Sequence, residues 1–206
     1  ESIPNSDLLI LKKYIGNKAE ITIDNNIKII KKSAFKNANI TSVHIPSSVT
    51  QIEDMAFRGC HQLTKVTSDE NTKFILGKEV FKNCDSLVEV NLGSINEIPS
   101  YCFAKCKALI ILNVQNVTKV GEHAFEDCKS FSNLELFRDV TFIGSYAFTN
   151  CRFSGHIDSF ANATTIGEDA FSGCYLINEF ELNPLLKVLE PRVFYNCQGL
   201  KSINLP

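Results

Sequence analysis

The sequence predicts an α/β solenoid in which each rung of about 23 residues carries one short parallel strand and one short helical turn. Three observations predict it: a phenylalanine column at a fixed period, a cysteine column three residues behind it, and an apolar alternation after each cysteine. The phenylalanines are Phe35, Phe57, Phe81, Phe103, Phe125, Phe148, Phe171 and Phe194, with gaps of 22, 24, 22, 22, 23, 23 and 23 residues. Cys60, Cys84, Cys106, Cys128, Cys151, Cys174 and Cys197 follow, and Ala38 holds that place in the first repeat. Five residues before each Phe stands an aliphatic residue: Ile30, Ile52, Leu76, Ile98, Val120, Ile143, Ile166 or Leu189. Glycine often comes next, at Gly77, Gly121, Gly144 and Gly167.

Each element has its own reason. Behind the cysteines, Leu87, Val90 and Leu92, or Leu109, Leu112 and Val114, alternate as a half-buried strand does. From Gly121 to Cys128 the apolar residues fall three and four apart, which reads as one helical turn. Such a unit cannot bury its own apolar side, so the units stack in parallel. Residues 1–30 lack the Phe and Cys columns; Leu8–Leu11 and Ala19–Ile23 read as a strand pair closing the first rung, so 1–30 is expected to be an N-terminal cap. Residues 31–206 then hold eight repeats, the whole forming one domain. The chain ends at Leu205-Pro206 just after a strand, so a longer natural protein, or a cover for that end, is expected.

Composition narrows the function classes. The chain has 206 residues, 21 Lys plus Arg against 23 Asp plus Glu, a net charge of −2 and a pI near 6.1, which is a poor match for a nucleic acid backbone. With 44% hydrophobic and 21% charged residues the chain is too apolar for intrinsic disorder. Its longest apolar run, Ala108 to Leu112, is far below the ~20 residues that span a bilayer, so no membrane insertion is expected. It opens at Glu1 without a basic-then-apolar leader, as a trimmed mature chain would.

The cysteines read as free thiols. Seven occupy one repeated position beside the Phe column, so each is expected to point into the core as a small apolar side chain, with Cys102 also in the core. In-register thiols all point one way, so a bridge between rungs would distort both turns. Without a Cys-x-x-Cys pair, ligands along a stacked line suit no tetrahedral zinc site. The Phe column is the expected hydrophobic spine.

The run Val117-Thr118-Lys119-Val120-Gly121-Glu122-His123-Ala124-Phe125-Glu126-Asp127-Cys128 resembles the BspA-like leucine-rich repeat family. So do Leu200-Lys201-Ser202-Ile203-Asn204-Leu205-Pro206 and the opening Leu11-Lys12-Lys13-Tyr14-Ile15-Gly16. The resemblance covers nearly the whole chain and implies a right-handed leucine-rich-repeat solenoid. Such chains usually sit on a bacterial or protozoan cell surface and serve adhesion or protein binding, with no catalytic residues to carry over. Ala38, the weak strand at Thr67-Ser68 and Ser154 in place of an apolar residue depart from the pattern, so local irregularity is expected in those rungs. The expected function is a non-catalytic protein-binding or adhesion module, an ectodomain fragment of a cell-surface or secreted protein. The alternative is a cytoplasmic interaction scaffold of the same fold.

Binding is expected on the outward strand positions, five and seven residues after each cysteine. The first column reads Lys65, Glu89, Ile111, Asn133, His156, Glu179, Ser202, and the second Thr67, Asn91, Asn113, Glu135, Asp158, Glu181, Asn204. Glu135, Asp158 and Glu181 would stack about 5 Å apart with Glu179 alongside, at a cost of about 1 kcal/mol per pair in water. One reading is a solvated acidic face. The other is a patch that meets a cation or a basic segment of a protein ligand, such as a host extracellular protein, with Phe137 and Phe160 as an apolar anchor. The candidate site is Glu135, Asp158, Glu181, Glu179, His156, Asn133, Asn113, Phe137 and Phe160. His156 and Asp158 share a strand face, as a base and its orienting carboxylate do. No Ser or Cys nucleophile joins them, and no closed oxygen cage for calcium is visible, so no catalytic role, metal or cofactor is expected. His44, His61 and His123 are scattered and expected to face solvent. Asn39-Ile40-Thr41, Asn116-Val117-Thr118 and Asn162-Ala163-Thr164 match the glycosylation pattern and matter only in a secreting eukaryote.

Overall fold

The computed structural model describes residues 9–70 and 72–204. The Leu8 end of the first expected strand, and Leu205-Pro206, lie outside the described residues. The chain winds as a parallel β-solenoid with a turn side and two strand-bearing sides, here called front and flank. The front carries β2 (Glu20–Thr22), β4 (Ser42–Ile45), β6 (Lys65–Ser68), β8 (Glu89–Ser94), β10 (Ile111–Gln115), β13 (Gly155–Ile157), β15 (Ile177–Glu181) and β16 (Ser202–Asn204). The flank carries β1 (Leu9–Leu11), β3 (Ile27–Ile30), β5 (Gln51–Ile52), β7 (Ile75–Leu76), β9 (Glu97–Ile98), β11 (Lys119–Val120), β12 (Phe142–Ile143) and β14 (Thr165–Ile166). Most rungs therefore hold two strands where the sequence showed one. The second comes from the aliphatic column five residues before the Phe, whose Ile52, Ile98, Val120, Ile143 and Ile166 are buried while their strand neighbours face outward.

Near the N-terminus, β1 and β2 do not pair with each other. Leu9–Leu11 lies against β3 in the flank and Glu20–Thr22 against β4 in the front, so this segment adds a strand to each side. Tyr14 stacks on Phe35 with ring centroids 5.1 Å apart and continues the aromatic column.

The expected helical turn does not form. The only helical element among the described residues is a single 3-10 turn, Glu135–Phe137. Between Gly121 and Cys128 the amides of Ala124, Glu126 and Cys128 bond three residues back, to Gly121, His123 and Phe125. Those of His123, Phe125 and Asp127 instead donate to the next rung, at Ser145, Ala147 and Thr149, over 3.0, 2.7 and 2.9 Å. A helix keeps every donor within its own coil. Here alternate donors point outward because His123 and Asp127 adopt φ of 53° and 60°, the left-handed region. The same two positions are left-handed in every repeat, the second being Asn37, Gly59, Asn83, Lys105, Asp127, Asn150, Gly173 and Asn196.

The turn side is the spine of the molecule. From Phe35 to Phe194 successive rings stack with centroids 4.9 to 5.9 Å apart. All eight cysteines are free and buried. Each column thiol donates to the carbonyl of the Phe one rung back, as Cys128 Sγ does to Phe103 O at 3.0 Å and Cys151 Sγ to Phe125 O at 3.2 Å. Cysteine suits the position because it is small, apolar and still carries a weak donor. Burial pushes the thiols of Cys84, Cys106, Cys128, Cys151, Cys174 and Cys197 up, Cys197 to about 11, whereas the hydrogen bond with Cys84 lowers Cys60. Glycine before the turn lets rungs approach: a Cβ on Gly121 would meet Ser100 N at 2.6 Å.

In the second half the core is filled by more aromatic rings. Phe131, Phe137, Phe153, Phe160 and Phe180 are all buried. Phe153 takes the place that Ser154 vacates and packs edge-on to Phe148 at 5.5 Å.

Candidate functional site

Strand alternation places the front columns. Lys65, Glu89 and Ile111 are register partners across β6, β8 and β10, and Lys65 Nζ lies 3.0 Å from Glu89 Oε2. Thr67, Asn91 and Asn113 form the neighbouring column, with Asn113 Nδ2 donating to Asn91 Oδ1 at 2.6 Å. Asn113 is thus tied into a polar ladder.

The front sheet then stops. It divides into β10-β8-β6-β4-β2 and β13-β15-β16, and the rung between them has the 3-10 turn in place of a strand. The local sequence explains this. Phe137 is fully buried and Leu134 and Leu136 are both half-buried against the core, and three inward-leaning side chains in four residues fit a 3-10 turn rather than an alternating strand.

The expected stack of Glu135, Asp158 and Glu181 is therefore absent. Glu135 sits on the 3-10 turn, and its Oε1 accepts from Arg138 Nη2 at 3.0 Å. That guanidinium holds the Glu135 carboxyl below its ordinary range. Asp158 lies one residue beyond β13, exposed, and adds to the negative field on Arg138. Asn133 is exposed ahead of the 3-10 turn. Phe137 and Phe160 do follow one another, with centroids 5.4 Å apart, but both are fully buried and offer a partner no anchor. Their rings fill the core against Phe148, which holds them 5.2 Å away on either side.

What the structure brings together is His156, Glu179 and Glu181. His156 and Glu179 are register partners on β13 and β15. His156 Nδ1 lies 3.1 Å from Glu179 Oε2, and Nε2 lies 3.7 Å from Glu181 Oε2. The three side chains are 42 to 55% exposed. Among the described residues neither glutamate meets a Lys or Arg, so the patch carries two carboxylates against one imidazole. No set of three or more His, Cys, Asp or Glu side chains among the described residues is placed to hold a metal ion.

Two features escaped the sequence reading. His123 is not a free surface histidine: its ring lies between Tyr101 and Tyr146, 4.5 and 4.6 Å away and nearly parallel. The shared place of these residues, two before the Phe, was the available signal. His44 bridges Thr67 Oγ1 at 3.0 Å and Asp69 Oδ1 at 3.1 Å, and His61, exposed as expected, pairs with Asp85 Oδ1 at 2.6 Å.

The model of the BspA type leucine rich repeat region matches residues 13–110 and 96–206, in 6 copies. Among solved structures the chain is similar to a leucine-rich repeat protein from Bacteroides ovatus, with 21% identity and a TM-score of 0.61, over 100% of this chain and 51% of that one. The chain thus spans about half the length of that protein, and the likeness shows the fold. It is also similar, with 17% identity and a TM-score of 0.44, to a leucine rich cell surface protein from Faecalibacterium prausnitzii, over 98% of this chain and 92% of that one. No curated protein matches it. The chain belongs to the BspA-type leucine-rich repeat family.

Proposed function

We propose that this leucine-rich repeat chain is a non-catalytic protein-binding module of a cell-surface or secreted protein, and that its front face at Glu179, Glu181 and His156 receives a basic segment of a protein ligand. The observation that carries this reading is the pair of exposed carboxylates with only His156 between them. On the same face Glu89 has a lysine partner, Lys65, at 3.0 Å. An arriving lysine or arginine would complete the pairing, and an exposed field of one sign speeds encounter with a basic partner. Asp158 extends the negative rim, while Arg138 matches the charge of Glu135. The ligand class is an extracellular protein, including host matrix or plasma proteins, and the role is adhesion.

The test compares wild type with Glu179→Lys/Glu181→Lys on an array of host extracellular-matrix and plasma proteins, with a short oligolysine peptide as the defined probe. The expected result is salt-sensitive binding that falls about tenfold or more in the variant. Equal binding by both proteins removes the acidic face from the interaction.

A further inference from the structure

Positive charge is gathered at the first rung. Residues 12–36 hold seven lysines against two carboxylates, Glu20 and Asp24, in a chain whose net charge is −2. Strand pairing brings some of them together: Leu11 is the register partner of Ile30, so Lys12 and Lys31 leave adjoining rungs side by side. Like charges in facing positions are unfavourable. Glu53 relieves Lys31, with Nζ 2.6 Å from Oε1. Lys12, Lys13, Lys18, Lys32 and Lys36 are exposed and make no ion pair among the described residues.

Three of these lysines line one pocket. After β1 the chain folds over the first turn, where Tyr14 N–H donates to Ala34 O at 2.7 Å and the Tyr14 ring stacks on Phe35. The Tyr14 hydroxyl closes the loop on itself, accepting from Lys18 N–H at 2.8 Å and donating to Lys18 O at 3.1 Å. This loop and the turn at residues 33–39 together line a pocket of about 390 Å³. Lys13, Lys18 and Lys36 belong to the lining with Asn17, Asn37 and Asn39, and no carboxylate does. The pockets of the front and flank differ: Asp69 and Glu70 line one, Asp54 and Glu97 the other. The backbone N–H groups of Gly16 and Asn17, also in the lining, donate to no carbonyl among the described residues.

We propose that this pocket binds a sulfated glycan, with the ammonium groups of Lys13, Lys18 and Lys36 on its sulfate esters and Asn17, Asn37 and Asn39 on its hydroxyls. Each lysine is a point charge on a flexible stem, which suits sulfates spaced along a sugar chain. A phosphate held in one fixed geometry favours the guanidinium fork instead, and the first arginine of the chain is Arg58. A single-stranded nucleic acid needs aromatic faces for its bases. The two rings of the lining, Tyr14 and Phe35, stack on each other, and Phe35 is buried. Asparagine amides both donate and accept, as sugar hydroxyls do. The tied loop holds the lysine backbones in place before a ligand arrives, which lowers the ordering cost of binding. The pocket sits at the first turn and is separate from the acidic patch on β13 and β15.

The probe is a heparin-derived tetrasaccharide added to the full chain and followed through its amide proton–nitrogen spectrum. Perturbations should centre on residues 13–18 and 33–39 and be absent with the de-sulfated tetrasaccharide. Lys13→Gln/Lys18→Gln/Lys36→Gln should weaken binding about tenfold or more and keep the wild-type melting temperature, since all three side chains are exposed. Lys129→Gln/Lys187→Gln/Lys201→Gln makes the same change in net charge at other exposed positions and should bind as wild type does. The proposal is overturned if millimolar tetrasaccharide leaves the amides of the pocket unmoved, or if the first variant or the de-sulfated sugar binds as the originals do. It is equally overturned if both variants lose the same affinity, or if a single-stranded DNA octamer matches the tetrasaccharide at the same amides.

Discussion

The turn side and the two strand sides of this solenoid solve the same stacking problem with different tolerance. On the turn side the Phe rings run unbroken from Phe35 to Phe194, and each column thiol reaches the Phe carbonyl one rung back. The front sheet breaks between β10 and β13, and the flank sheet between β7 and β9. These breaks fall on different rungs, so no joint between rungs loses both sheets at once. The comparison teaches that the turn carries continuity and that the sheets can be interrupted where the sequence needs another feature. The 3-10 turn with Phe137 marks one break, and Pro99, which has no N–H to give the ladder, marks the other.

The largest effect that tests this division is Phe125→Ala. Its ring touches Phe103, Phe131, Phe137 and Phe148, so the cavity can collapse only in part. Truncation should cost about 3–5 kcal/mol and lower the melting temperature more than any substitution on the front face. A front-face change with a larger effect would overturn the ranking of the two sides. Cys128→Ala is the next step down. It removes the donor to Phe103 O and leaves a small void, so thermal melts should show a loss of about 1–2 kcal/mol. Ala38, which stands at this column in the first repeat, shows that the fold accepts the change at its end.

These two residues belong to the part of the fold that was legible in the sequence. A buried Phe and Cys every 22 to 24 residues leave little freedom, and their burial follows from the period alone. The turn conformation was legible in principle and was misread. Asn37, Gly59, Asn83, Asp127, Asn150, Gly173 and Asn196 are the residue types that accept a left-handed backbone, and they outweigh the three-and-four apolar spacing that suggests a helix. The acidic column failed for a different reason. Counting outward positions assumes a strand in every rung, and Leu134-Glu135-Leu136-Phe137 has too many apolar side chains in succession for alternation to hold. The pairing of His156 with Glu179 survived because β13 and β15 remain strands in register.

Acid unfolding sharpens the comparison with a smaller effect. Arg192 sits at the left-handed position two residues before Phe194 and reaches back one rung to Asp169, with Nε 2.9 Å from Oδ2. It holds the Asp169 carboxyl below its ordinary range. A depressed carboxyl stabilises the fold above its unfolded value, about 3.9, and that contribution is lost as pH falls through the lower folded value. Arg192→Ala should therefore lower the melting temperature at neutral pH and flatten its decline below about pH 4. An unchanged slope would show that this tie adds nothing to the turn side.

The smallest effect is expected on the front face itself. Glu179 and Glu181 are about half exposed, and their pairing with His156 is a surface contact that solvent screens. Glu179→Ala should shift stability by no more than about 0.5 kcal/mol in either direction. Two like charges on neighbouring strand positions even leave room for a slight gain. A loss near that of Phe125→Ala would mean that this patch holds the β13-β15-β16 sheet together rather than presenting charge to a partner. With melts near wild type and oligolysine binding reduced, the acidic face would serve recognition while the aromatic column carries the fold.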